Sequence, residues 1–223
     1  MSTHELDNRC WHDYYFWIGP HDQAQPDHCF WIDLFILDYI LGDLLRQDAG
    51  TAPWIIHRRT KPDDKGHEFK LSCFALPEKA KALEDSIRSH PGFEAYLRFF
   101  ASPVPPNPPF QRLKHESEHV PWRDFSGGRW PKEFNRPYSH YAYGFSRAYL
   151  ELIAEVIDGL GQPRPDPNDP QSLATFYAQV RRKADDLWTS QGYEPFLHQV
   201  GAVFGYAWIE VRPRGLKGMQ LIL

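Results

Sequence analysis

At 223 residues, the chain is long enough to bury a sizeable core without help from disulfides or metals, and a single domain spanning residues 1–223 is the expectation. Hydrophobic residues make up 42% and aromatics 15%, so Phe, Tyr and Trp carry much of the packing and also suit a pocket for a peptide-like ligand. A net charge of −4 lacks the basic excess of a nucleic-acid binder, and the longest apolar run, from Phe30 to Leu37, is broken by Asp33 and falls far short of the ~20 residues of a membrane span.

Tyr14 to Ile18 is aromatic and β-branched and stops at Gly19-Pro20, which reads as a first strand. From Phe30, the residues Leu34, Leu37, Leu41 and Leu45 recur at helical spacing with Asp33, Asp38 and Asp43 between them. They predict an amphipathic helix to about Arg46. Trp54–Arg59 and Glu68–Phe74 alternate around the turn-forming Lys61–Gly66 and read as an antiparallel pair. Pro77 opens a helix to about Ser89, and a shorter amphipathic stretch follows over Phe93–Phe100.

Pro103–Pro109 is proline-dense and reads as a stiff, extended loop inside the domain. Phe145–Leu160 is the strongest helical pattern, with Phe145, Tyr149, Leu152, Val156 and Leu160 on one face and Gly161 as its stop. Asp169 and Pro170 read as N-cap and first residue of a helix to Trp188. Glu194–Tyr206 is a further helix, and Tyr206–Val211 a closing strand. The fold expected is α+β, an antiparallel sheet with helices packed on it.

Cys10, Cys29 and Cys73 form no CxxC pair and leave an odd thiol, which suits a reducing compartment. Met1–Arg9 is polar and lacks the basic-then-apolar pattern of a signal peptide, so the cytoplasm is the expected location.

His115-Glu116-Ser117-Glu118-His119 matches the HExxH zinc pattern, which works only on a helix that brings both histidines to one face. A proline tract just upstream and Pro121 just downstream leave little room for that helix, so a solvated polar loop is the preferred reading. A zinc hydrolase through His115, Glu116 and His119 is the third-ranked function. No motif for a nucleotide cofactor is present.

The strand pair Trp54–Phe74 differs in kind. Alternation puts Trp54, Ile56 and Arg58 on one face and Ile55, His57 and Arg59 on the other, a cation among apolar groups on both sides. On the partner strand Glu68, Lys70 and Ser72 share a face. Two readings stay open: Lys70 beside Arg58 or Arg59 as a carboxylate clamp, or ion pairs with Glu68, Asp63 or Asp64 on the sheet surface.

The order of a first strand, a helix, Trp-Ile-Ile-His-Arg-Arg (54–59), a polar turn with Pro62 and Asp63, and Gly-His-Glu-Phe-Lys-Leu-Ser-Cys-Phe (66–74) resembles a known family. It is similar to the small C-terminal domain of class I lanthipeptide dehydratases and their stand-alone relatives in thiopeptide biosynthesis. Arg58 falls on the family's first arginine and Lys70 on a basic position of its second strand, while Ser72 stands where the family has another arginine. Trp130–Tyr143 resembles the tyrosine-rich segment before a long helix. His198 with Gly205 resembles a histidine-led helix, although Ala202 and Val203 replace the Asn-Arg that follows.

The resemblance implies a peptide-tailoring enzyme acting by elimination or cyclisation on a ribosomally made precursor peptide. It implies no cofactor, and as partners the precursor, a glutamylating protein and a second copy in a homodimer. Arg58, Lys70 and His198 would carry the chemistry, with Trp54, Arg59, His67 and Ser72 binding substrate. The alternative is a non-catalytic peptide-binding or partner subunit built on the same strands.

Overall fold

The computed structural model describes residues 8–19, 30–47, 53–58, 67–101, 110–114, 122–125, 128, 130–192, 199, 202–203, 210–213 and 219–222. The chain divides into two compact units, Met1–Arg181 and Arg182–Leu223.

In the first unit, strands β1 (Cys10–Ile18), β2 (Trp54–Arg58), β3 (His67–Ala75) and β4 (Phe110–Lys114) form one sheet in the order β2-β3-β1-β4. Each neighbouring pair is antiparallel. The expected α+β architecture, an antiparallel sheet carrying helices, is what the chain adopts. The central strand β1 is longer than its aromatic half suggests. Cys10–Asp13 belongs to it, paired with β3 from Cys10 to Ala75 and with β4 from His12 to Lys114.

Strand alternation gives the sheet two unlike faces. On one face Phe16 lies between Phe69 on β3 and Phe110 on β4, its cross-strand partners. Helices α3 (Pro77–Ser89) and α4 (Pro91–Phe99) cover this side. The Phe16 ring meets Tyr96 edge-on at 5.5 Å, Phe93 at 6.4 Å and Phe110 at 4.9 Å. Burying each such ring contributes about 1.5–3 kcal/mol, so this aromatic cluster is the main source of cohesion. Two phenols inside it are satisfied by carbonyls. Tyr14 Oη donates to Ala80 O at 2.7 Å and Tyr96 Oη to Trp17 O at 2.8 Å.

The predicted 30–46 helix forms with a widened centre: α1 (Phe30–Leu34), a π-helical stretch Phe35–Ile40, then α2 (Gly42–Gln47). The Leu41 N–H donates five residues back to Ile36 O at 3.0 Å. This segment is buried almost all round, and its Asp38 is bound twice by Arg164, at 2.8 and 2.9 Å, and by Tyr177 Oη at 2.9 Å. These bonds tie α6 (Pro170–Leu187) and the loop before it to the first helix. Asp169 caps α6 as predicted, accepting from Ser172 N at 3.0 Å.

Helix α5 (Asn135–Asp158) starts ten residues earlier than its hydrophobic pattern predicts. Pro137 is tolerated because first-turn N–H groups have no intrahelical partner. Its buried stripe is Ser139, Ser146, Leu150, Ile153, Val156 and Ile157, of which the predicted face contains only Val156. Ser146 explains the shift. Its hydroxyl accepts the Ile56 N–H at 3.1 Å and donates to Ala142 O, so α5 closes the free edge of β2 through a small polar side chain that apolar periodicity cannot reveal.

In the second unit, a π-helical turn Trp188–Gly192 follows α6. Strands β5 (Glu210–Pro213) and β6 (Met219–Ile222) pair antiparallel. The proline tract 103–109, the 115–119 string and most of the predicted 194–206 helix lie outside the described residues. Among the described residues no helix is long and apolar enough to cross a membrane.

Candidate functional site

The register between β2 and β3 places Arg58 opposite Phe69 and His57 opposite Lys70. Arg58 and Lys70 therefore stand on opposite faces of the sheet, and a clamp pairing Lys70 with Arg58 does not form, while the alternative partner Arg59 lies outside the described residues. A one-residue offset in alternation is sufficient to separate them. Each cation instead meets its own buried aspartate.

On the helix-covered face the aspartate is Asp33 of α1, 1% exposed at its side chain. Arg58 Nε donates to Asp33 Oδ2 at 2.7 Å, and His67 Nε2 lies 2.7 Å from Asp33 Oδ1. Arg58 Nη1 reaches Tyr149 Oη on α5 at 3.2 Å, and its guanidinium lies over the Phe30 ring, 5.1 Å from the centroid. Burial opposes the charge on Arg58, but Asp33 and Tyr149 outweigh it, and the pKa is raised. The group is a fixed cation joining β2, α1 and α5.

On the other face the aspartate is Asp13 of β1, with a fully buried side chain. Ser72 Oγ donates to Asp13 Oδ1 at 2.7 Å, and Arg123 Nη1 lies 2.9 Å from both carboxylate oxygens. Tyr15 Oη donates to Oδ2 at 3.2 Å, and Lys70 Nζ stands at 3.9 Å. Burial pushes the Asp13 pKa up, yet Lys70, Arg123 and the Ser72 bond together reverse this, and the net shift is downward.

Lys70 is held differently from Arg58. Burial is the largest influence on its ammonium and lowers the pKa; Asp13 and Glu68 work against that, Arg123 adds to it, and the net shift is down. The ammonium lies 5.8 Å from the Tyr15 ring centroid, and Tyr15 in turn stacks on Trp17 at 5.9 Å. His57, directly across from Lys70, is exposed, and desolvation followed by the Lys70 charge lowers its pKa. This face thus gathers two bases biased toward their neutral forms, one guanidinium and a stacked aromatic pair, the inventory needed for proton abstraction beside an anion-stabilising cation.

Other sequence-derived candidates distribute as follows. Trp54 is buried on the helix side, edge-on to Tyr143 at 5.7 Å, and is a packing residue. His67 is taken up by Asp33 and Ser72 by Asp13. Arg59, His198, His115, Glu116 and His119 lie outside the described residues, and among those described no group of three His, Cys, Asp or Glu is placed to hold a metal. Asp13, Tyr15, His57 and Arg123 were not singled out from sequence. The signal that could have found Asp13 was an acid inside an otherwise aromatic strand, since a carboxylate buried there requires a cation.

Compared with known proteins, the chain matches no family model, no curated protein and no solved structure.

Proposed function

We propose that the protein is a peptide-tailoring enzyme of the cytoplasm that carries out elimination on a modified ribosomal precursor peptide, with its reacting groups on the Lys70 face of the sheet. The observation that carries this reading is Lys70 itself: a partly desolvated amine with depressed basicity, beside Arg123 and across from His57. Lys70 in its free-base form removes the α-proton of a glutamylated Ser or Thr residue. The electron pair becomes the Cα–Cβ double bond, the Cβ–O bond breaks, and glutamate departs as its carboxylate. Arg123 stabilises the enolate and the leaving anion. The order of the first strand, the helix and the 54–74 strand pair supports the same reading through the family it resembles.

The test is to incubate the protein with a glutamylated precursor peptide and follow its mass. Loss of glutamic acid, slowed at least ~100-fold in Lys70→Met, is the expected result. No mass change, or an unchanged rate in the variant, overturns it.

A second reading, a peptide-binding subunit without chemistry, is favoured by Trp17. Its indole N–H is buried and has no acceptor among the described residues, so a donor is free for a ligand carbonyl next to the Tyr15 stack. Binding of the unmodified precursor without turnover, weakened by Trp17→Phe, would select it.

A further inference from the structure

Helix α5 carries its charges in two blocks. Asn135–Leu150 contains Arg136, His140 and Arg147 and no acid, while Glu151–Asp158 contains Glu151, Glu155 and Asp158 and no base. Cations near a helix N-terminus and carboxylates near its C-terminus both oppose the helix dipole, so the helix itself gains nothing from this order.

The two blocks share one face. Pro137, His140, Gly144, Ala148, Glu151 and Glu155 follow one another at three- and four-residue spacing, and each is exposed. Arg136 and Arg147 flank this stripe and are exposed as well. Gly144 at its centre has open space where a Cβ would stand, and the rings of Phe134 and Tyr141, 59% and 50% exposed, border it. Little within the molecule answers the charges. Glu151 lies 3.9 Å from Arg46 Nε, and Arg136 rests on the Trp122 ring, 5.1 Å from its centroid. Among the described residues Arg147, Glu155 and Asp158 make no ion pair.

The spacing of the charges fits a copy of the same helix. Arg136 and His140 stand four residues apart, and so do Glu151 and Glu155. A second α5 laid antiparallel on this face therefore brings Arg136 against Glu155 and His140 against Glu151 in one register, and a two-fold axis repeats both pairs. The same register sets Gly144 against the partner's Arg147, so the missing side chain makes room for a long one where the two helices are closest. We propose that this face of α5 is a self-association surface, a two-fold antiparallel contact with a second copy of the chain, with Phe134 and Tyr141 adding apolar area at its rim. The proposal does not rest on the elimination reading.

The experiment is sedimentation equilibrium of the full-length protein, of Arg136→Glu, of Glu155→Arg, and of an equal mixture of these two variants. The unmutated protein should dimerise with a dissociation constant below about 100 μM, the weak end for a modest interface, and more weakly as salt is raised. Each variant alone puts like charges opposite one another at both ends of the contact and should self-associate at least about tenfold more weakly. The mixture should recover a heterodimer of the original strength, because each reversed charge then meets its opposite on the other copy. Within one chain the two positions lie about 28 Å apart along the helix, so this recovery cannot arise inside a single molecule. Both side chains are exposed, and the circular dichroism of each variant should match that of the unmutated protein.

A protein still monomeric at about 100 μM overturns the proposal, as that concentration is the weak limit set above. So do single variants that dimerise as tightly as the unmutated chain, or a mixture that stays as weak as its components.

Discussion

The two faces of the β2–β3 pair solve the same electrostatic problem in different ways. Each carries a buried aspartate answered by two basic side chains, Asp33 by Arg58 and His67, Asp13 by Arg123 and Lys70. On the helix side both partners sit at 2.7 Å, and Arg58 is further tied to Tyr149, so its charge is stabilised and immobile. On the Asp13 side Arg123 makes the close contact and Lys70 stands off at 3.9 Å, its charge less favoured than in water. A cation whose charge is reinforced and a cation whose charge is weakened thus occupy neighbouring strands, distinguished by distance and desolvation.

This comparison is open to mutation. Removing either aspartate leaves cations facing a void, and Asp33→Ala and Asp13→Ala should each lose about 3–5 kcal/mol in urea unfolding, the cost of breaking a buried pair. The cations should then diverge. Arg58→Met is expected to cost about 2–3 kcal/mol, because it breaks charged hydrogen bonds to Asp33 and Tyr149. Lys70→Met should stay within about 1 kcal/mol, since the lost attraction at 3.9 Å is offset by relief of a desolvated charge and Arg123 still holds Asp13. Equal losses for the two would erase the distinction.

Stability against pH sharpens the same contrast. Asp13 has a folded pKa below its ordinary 3.8, so its contribution is present above that value and is lost as pH falls through the folded pKa. Lys70 has a folded pKa below its ordinary 10.5. Between the two Lys70 binds more proton in the unfolded chain, so its own contribution to stability rises with pH in that window, against the fall from the buried tyrosines near pH 10. The rise should disappear in Lys70→Met, while the acid limb remains. The smallest effect belongs to His57→Ala, which should change stability by no more than about 0.5 kcal/mol as an exposed side chain, yet slow any reaction at Lys70.

Local chemistry made much of this fold readable. The 54–74 strand pair follows from alternation around a turn, and the Asp169-Pro170 start of α6 from a cap whose bond to Ser172 forms as expected. What was hidden depends on distant partners. Cys10–Asp13 lacks a strand pattern because His12 and Asp13 are polar, but both are buried between β3 and β4. Strand β4 is five residues of mixed chemistry after a proline tract. The site was half legible: basic residues on the strand pair pointed to anions, and Asp33 and Asp13 are carboxylates that Arg58 and Lys70 meet. Those partners lie 25 residues from Arg58 and 59 from Ser72. Only the register and the packed helices bring them together.

Lys70, unlike Arg58, is a weakened cation, and we propose that this is what fits it for chemistry. Competitive acetylation of the folded protein across neutral to alkaline pH, read lysine by lysine, measures it directly. The account predicts that Lys70 gains reactivity with a midpoint below 10.5, lower than the other lysines, and that urea restores it to theirs. A Lys70 midpoint at or above 10.5 in the folded protein would contradict it.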